Sequence, residues 1–471
     1  GSIPILKNRY CILVPKDSKF NYYVRKENME PVVSKLENMT LYIWEKDDAQ
    51  PIKFEPYKSA NLDLTQRLFY SSIPDWKFIS NWYKDLVYNK LKSDYVLKET
   101  IAELLKGKEN LPPLEKARIF YEYILNNISY SNVSFLHSNF IPQKASRTIT
   151  TKLGDCKDVS TLFVALCKES GINSNLVLIS TRNYGSHTMP LPVIDFNHCI
   201  AQLNIDGKTW YLELTDNDLP FRAALINDLH SEILPIPLDE DSVLGRSLLV
   251  MDMAQYPINQ EKKYLHVEMD GNNLNLSCKQ IGYASQASSL RGAYKEIGTE
   301  KQSIKVTQLM ASIYNAQVKI DNLSFENLDN LADSVVMKYQ FTLNNSVQDV
   351  SGMKILKLPW GVSSESMELV SAEKREYPLE LWAFMDNDVM ETIIDFQLPA
   401  GLKFMEIPKD VAFNCASASF SMKYNLKSEN QLIVTRRLSL ESDRVTPEEY
   451  PEFRAFMTRI NEYDNKQYGI H

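Results

Sequence analysis

The chain has 471 residues, with 52 Lys and Arg against 60 Asp and Glu for a formal charge of −8, and it is 44% hydrophobic and 24% charged. At about 150 residues per domain this length suggests roughly three domains, and the composition is that of an ordinary globular protein, which excludes global disorder. The acidic balance argues against a nucleic-acid binder, which needs a basic stripe, and no run approaches the ~18 consecutive apolar residues of a membrane span.

Gly1-Ser2 reads as a cloning remnant, so the lack of a signal peptide after it carries no information on location. Residues 3–62 are predicted to form short strands, such as Cys11-Ile12-Leu13-Val14 and Leu41-Tyr42-Ile43-Trp44, as the last part of an N-terminal β domain that begins upstream. Residues 63–111 form a helical connector: Trp76, Ile79, Trp82, Tyr83 and Leu86 recur at helical spacing, and Val96, Ile101, Leu104 and Leu105 continue on a second helix. Pro112-Pro113 interrupts, and a third helix carries Ala117, Phe120, Tyr121, Ile124 and Ile128 on one face.

Residues 112–235 alternate helix and strand and form the core, and residues 236–262, with Pro237 and Asp239-Glu240-Asp241, read as a linker. Residues 263–471 are mostly strand. Runs 265–269 and 274–278 flank Asp270-Gly271-Asn272-Asn273 as a hairpin, and further strands are expected at 335–343, 391–398 and 432–440. Helices are expected at 288–296 and 305–314. A last helix starts from the capping box Thr446-Pro447-Glu448-Glu449 and buries Phe453, Phe456, Met457 and Ile460.

The chemistry sits in the core. In Lys152-Leu153-Gly154-Asp155-Cys156-Lys157-Asp158, either Gly154 or Asp155 can cap the amphipathic helix marked by Val159, Leu162, Phe163 and Leu166 and closed by Gly171. Cys156 then lies in the first turn, where the helix dipole favours a thiolate; the plainer reading is a buried cysteine packing as a small hydrophobe. Cys167, near the end of that helix, reads as structural. Six cysteines are too few for a disulfide scaffold in this length, and the absence of a CxxC pair argues against structural zinc.

Asp206-Gly207 between alternating runs predicts a two-residue hairpin, and its register can be written down. Ile205 faces Lys208, Leu203 faces Trp210 and Ala201 faces Leu212, which makes that face core. The other face carries Gln202 with Tyr211, Ile200 with Glu213 and His198 with Thr215, so His198 and Glu213 are diagonal neighbours within side-chain reach. Asp216 falls on the opposite face and ranks behind Glu213, and His187, in the 181–196 loop, reads as an exposed residue. Taken alone, His198 reads first as a hydrogen-bonded strand histidine with no chemical role. Together with a thiol at a helix N-terminus and a carboxylate across the hairpin, it has the nucleophile–base–orienter pattern of a cysteine triad.

Gly154-Asp155-Cys156-Lys157-Asp158, then Asn197-His198, then Tyr211-Leu212-Glu213-Leu214-Thr215, resemble the core of the bacterial transglutaminase-like superfamily, over about residues 116–218. The resemblance implies an α+β chain: a papain/transglutaminase-like core between β-sandwich-type domains, with Cys156 as nucleophile, His198 as base and Glu213 as third member. The family has Asp where this chain has Glu213, which makes a catalytically inactive interaction protein of the cell envelope the alternative to an acyl-transfer enzyme. The flanks, with Ile79-Ser80-Asn81-Trp82-Tyr83 and Glu448-Glu449-Tyr450-Pro451-Glu452-Phe453, resemble the β domains of unknown function that accompany such cores. The resemblance also implies a periplasmic or cell-envelope location, with the export signal removed.

The chemistry expected is attack of Cys156 on a peptide or glutamine amide, with the Cys156 backbone N–H and Gln143 as oxyanion donors. The expected partner is a peptide or protein substrate, with possible envelope partners and no nucleic acid. No phosphate loop, metal-ligand spacing or dinucleotide fingerprint occurs, so neither cofactor nor metal is expected. The acidic runs Asp216-Asn217-Asp218 and Asp239-Glu240-Asp241 read as solvated loops that could bind calcium weakly.

Overall fold

In the computed structural model residues 3–131, 140–186, 188–238, 245–251, 256–361, 368–385 and 387–471 are described; Gly1-Ser2, His187 and Asp239-Glu240-Asp241 lie outside them. Two compact units result, one of residues 1–54, 59–217 and 221–256, the other of residues 55–58, 218–220 and 257–471. No described helix is long and apolar enough to cross a membrane.

The first unit opens with a three-stranded sheet in the order Ile5–Pro15, Met39–Ala49, Val32–Lys35. Strand Asn21–Arg25 pairs instead with Arg67–Ser71, which falls inside the stretch expected to be helical. Helices Trp76–Tyr88, Tyr95–Leu104 and Pro113–Asn127 follow. Asp75 caps the first by accepting the Phe78 N–H at 2.8 Å, Asp94 caps the second by accepting from Leu97 at 3.1 Å, and Pro113 takes the first turn of the third.

The core sheet has five strands, in the order Lys208–Leu212, His198–Ile205, Ser174–Ser180, Glu232–Ile236, Leu249–Val250. The hairpin pairs Lys208 with Ile205, Trp210 with Leu203 and Leu212 with Ala201, the register that a two-residue Asp-Gly turn dictates. Helix Cys156–Glu169 lies against this sheet, and the Ser160 hydroxyl donates to the Cys199 carbonyl at 3.1 Å. Its apolar stripe suggests one buried face, but every residue from Cys156 to Cys167 is buried, because helices Pro113–Asn127 and Ala145–Thr151 also pack on it. Both faces of the hairpin are buried as well. Ile200 and Tyr211, on the face opposite Leu203, pack with Ala224 and Leu229 of the stretch that follows the hairpin.

The second unit is built on one mixed sheet of eight strands: Asp321–Glu326, Ser334–Leu343, Asn273–Tyr283, Gln260–Asp270, Val389–Gln397, Gln431–Leu440, Ala418–Ser428, Val411–Cys415. Gln260–Asp270 and Val389–Gln397 pair in parallel, while the neighbours on either side are antiparallel. This large sheet shares a core with helices and a three-stranded sheet of Val347–Val350, Met353–Lys357 and Gln467–Ile470. Helices Ser285–Tyr294 and Thr299–Tyr314 begin earlier than their apolar spacing suggests. The Thr446–Glu449 capping box forms, at 3.0 and 3.3 Å, but it closes the turn before the helix; Tyr450–Asp464 has Pro451, not Pro447, in its first turn.

Candidate active site

The segment around Cys156 is shaped by local chemistry. A Cβ on Gly154 would meet Asp158 Cβ at 2.9 Å and Thr148 Cγ2 at 3.2 Å, so only glycine lets the chain enter the helix this closely. Asp155 is the N-cap: its carboxylate accepts the Asp158 N–H at 3.3 Å and Asp158 accepts the Asp155 N–H at 3.1 Å, a reciprocal capping box. Cys156 is therefore the first helical residue, 3% exposed, with the positive end of the helix behind its sulfur. Lys157, also buried, pairs with Asp155. Burial pushes the Asp155 carboxyl up against the downward pull of Lys157.

His198 begins its strand, and its Nε2–H donates to Glu213 Oε2 at 2.6 Å. The other Glu213 oxygen accepts the Thr215 N–H at 2.6 Å, which holds the carboxylate in place. With Nε2 engaged, Nδ1 is the nitrogen left for Cys156, whose thiol is near enough to act on the charge of the ring. Burial alone would push His198 down, but the Glu213 charge and the hydrogen bonds from Cys156 and Glu213 outweigh it and raise it well above the usual value. Burial would raise Glu213, yet the His198 charge and the bonds from His198 and Thr215 hold its carboxyl at about 2. The ring is thus an imidazolium beside a carboxylate at neutral pH.

Two further residues complete the site. Asp228 is 3% exposed, and burial, then the Glu213 charge and a hydrogen bond to Glu213, push its carboxyl well above the usual range. The shift holds it toward its protonated form beside the Glu213 carboxylate. The donor atoms of His198, Glu213 and Asp228 lie within 4.8 Å of one another, so these are the residues that could hold a cation, although His198 and Glu213 already bond each other. Tyr130 pairs with Gly154 in a short parallel ladder. Burial, followed by the Cys156 thiol, pushes its hydroxyl up to about 12, so it remains a hydrogen-bond donor.

Asp228→Asn is expected to keep kcat/KM within about threefold, because the amide donates as the neutral acid does, whereas Asp228→Ala loses about tenfold or more. The variants also differ from wild type in stability. Below its raised folded value the native Asp228 keeps a proton that the unfolded chain releases above about pH 4, so stability falls as pH rises. Asp228→Asn removes that cost and should melt higher than wild type at pH 8. A lower melting temperature, with activity lost, would mean that Asp228 works as an anion.

Of the residues singled out from sequence, Cys156, His198 and Glu213 come together, and Gln143 bonds Asp158, two residues after Cys156. Its backbone N–H donates to Asp158 at 2.7 Å, and its side-chain amide donates to Asp158 at 2.9 Å and to the Leu153 carbonyl at 3.4 Å. Gln143, the expected oxyanion donor, thus braces the helix entrance through Asp158. Cys167 is fully buried and pushed up by that burial. Asp218 of the first acidic run pairs with Lys295 at 3.1 Å. Neither Asp228 nor Tyr130 stands out in the sequence, since both reach the site through long-range packing.

Residues 99–212 match the model of the transglutaminase-like superfamily, and residues 354–469 match that of a domain of unknown function with a solved structure, DUF3858. Among solved structures, a crystal structure from Parabacteroides distasonis, provisionally named a protease, aligns with a TM-score of 0.60 at 12% identity, covering 100% of this chain and 73% of that one. At that identity the likeness establishes the fold alone. A protein from Cytophaga hutchinsonii, provisionally named a cysteine protease, aligns at 14% identity over 45% of this chain and 72% of that one, with a TM-score of 0.21 that carries no argument. A comparison with curated proteins returned no match. The chain therefore has a transglutaminase-like core with β-rich regions on either side of it in sequence.

Proposed function

We propose that this transglutaminase-like core is a cysteine acyl-transfer enzyme acting on peptide amide bonds, with Cys156 as nucleophile, His198 as acid–base and Glu213 as its orienter. The observation that carries the reading is the 2.6 Å bond from His198 Nε2 to Glu213, made by a ring on which the Cys156 thiol also acts. The reactive form is a thiolate–imidazolium pair, with the Cys156 proton already carried by the His198 ring, and the sulfur attacks the amide carbonyl. The developing oxyanion is met by the Cys156 backbone N–H at the helix start and by the Tyr130 hydroxyl. His198 then protonates the departing amine as the C–N bond breaks, leaving a thioester on Cys156. Water attacks that thioester in hydrolysis, with His198 taking its proton; an amine would give a new amide. Hydrolysis is favoured because water is the default acceptor.

The inactive alternative rested on Glu213 in place of Asp, and its longer side chain meets the ring at ordinary hydrogen-bond distance. A periplasmic or cell-envelope location belongs to the same proposal, tested by fractionating cells that express the full-length protein. The enzyme reading is tested by incubating the protein with a fluorogenic peptide library and quenching in acid. Intact-mass analysis should show an acyl adduct on Cys156 that hydroxylamine removes and that Cys156→Ala lacks. Absence of both turnover and adduct across the library would favour the interaction protein.

A further inference from the structure

The inner face of the eight-stranded sheet is apolar across its width at most levels. Leu265 faces Cys278 on one side and Ile394 on the other, and Ile394 faces Val434. Two residues along each strand the pattern breaks everywhere at once. Gln280 faces Lys263, Lys263 faces Thr392 and Thr392 faces Arg436. Four adjoining strands thus place polar side chains inward at a single level, where one buried polar residue alone would already cost stability.

A cavity of about 900 Å³ lies over this line, walled by Met310, Tyr314, Trp360 and Met457. The volume is that of an ordinary small-ligand site. Arg436 is 4% exposed and grips Asp464 with two bonds of 2.8 and 3.0 Å. Lys263 holds Glu261 at 2.9 Å. Thr392 lies between the two cations, is 7% exposed, lines the cavity and has no side-chain partner among the described residues.

We propose that this cavity binds a short free peptide of two or three residues. Three cations, Lys263, Lys357 and Arg436, and two anions, Glu261 and Asp464, line it, so a ligand with both an ammonium and a carboxylate finds a counter-charge for each group, and a singly charged one does not. Lys263 and Arg436 stand two strands apart, about 9.6 Å, and three extended residues span roughly 10 Å. Thr392 is left to bond a peptide group in the middle. Methionine and aromatic walls accept side chains of varied shape. The inference does not rest on the cysteine chemistry, since every group involved belongs to the second unit.

Calorimetric titration of the full chain carrying Cys156→Ala, which prevents turnover, tests it with three probes: tri-alanine, N-acetyl-tri-alanine amide and dodecanoate. Tri-alanine should bind saturably at one site, and the doubly blocked peptide about tenfold or more weaker. Adding Thr392→Val should weaken tri-alanine about threefold, and Lys263→Met or Arg436→Met about tenfold. The melting temperature shows whether each variant is folded; the near-isosteric Thr392→Val keeps the test decisive should the Arg436 variant unfold. No saturable heat, equal affinity for the blocked peptide, or affinity unmoved by Thr392→Val and Lys263→Met overturns the proposal. Dodecanoate binding in place of the peptides would assign the cavity to an amphiphile and overturn it equally.

Discussion

His198→Ala is expected to slow alkylation of Cys156 by iodoacetamide about 100-fold at pH 6.5. The imidazolium is the counter-charge for a thiolate at residue 156, and Glu213 raises the ring well above its usual value. Without the ring, labelling should follow an ordinary thiol near pH 8.5, which is about 1% ionised at pH 6.5. The measurement is the labelling rate at residue 156 between pH 5 and 10, read by peptide mass. The other five cysteines serve as internal controls, since four are buried and only Cys11 is exposed. Equal rates in wild type and variant, or labelling of Cys156 only on unfolding, would remove His198 from the chemistry.

Glu213→Gln should reduce kcat/KM by about 10³–10⁴, the scale seen when the orienting acid of a catalytic triad becomes an amide. The carboxamide keeps the shape but cannot balance the imidazolium that forms when the sulfur is deprotonated. Glu213→Asp keeps the charge on a shorter arm and should lose about tenfold. A stability signature separates this role from a merely structural one. Glu213 is held at about 2 in the fold, so its contribution is present above the unfolded value near 4.3 and is lost as pH falls toward 2. His198 is raised, so its contribution is present below about pH 6.5 and is lost as pH rises through its folded value. Glu213→Gln should flatten both limbs of the melting-temperature profile. A profile of unchanged shape with activity retained would show that the acid does not act on the ring.

Much of this site was legible because its determinants are local. Gly154, Asp155 and Asp158 define a helix start within a few residues, which decides that Cys156 is the first helical residue. Asp206-Gly207 sets a turn, and strand alternation then puts His198 and Glu213 on one face. What failed was also instructive. The Cys156 helix and the hairpin were read as half-buried because an amphipathic pattern shows one packing face and is silent about what covers the other. Gln143 is close to Cys156 in sequence, yet its donors point to Asp158 and Leu153, a choice made by hydrogen-bond geometry.

The sequence by itself determined the helix that opens at Cys156, the register of the Asp-Gly hairpin, and the candidate thiol, ring and acid, since each follows from periodicities and turn preferences that act over a few residues. Only the tertiary structure decided that Asp228 stands behind Glu213, that Tyr130 lies beside Gly154, and that Lys263 and Thr392, distant in the chain, are direct neighbours on one sheet. Strand order and loop packing are settled by which apolar faces can be buried together, and that competition runs over the whole chain at once.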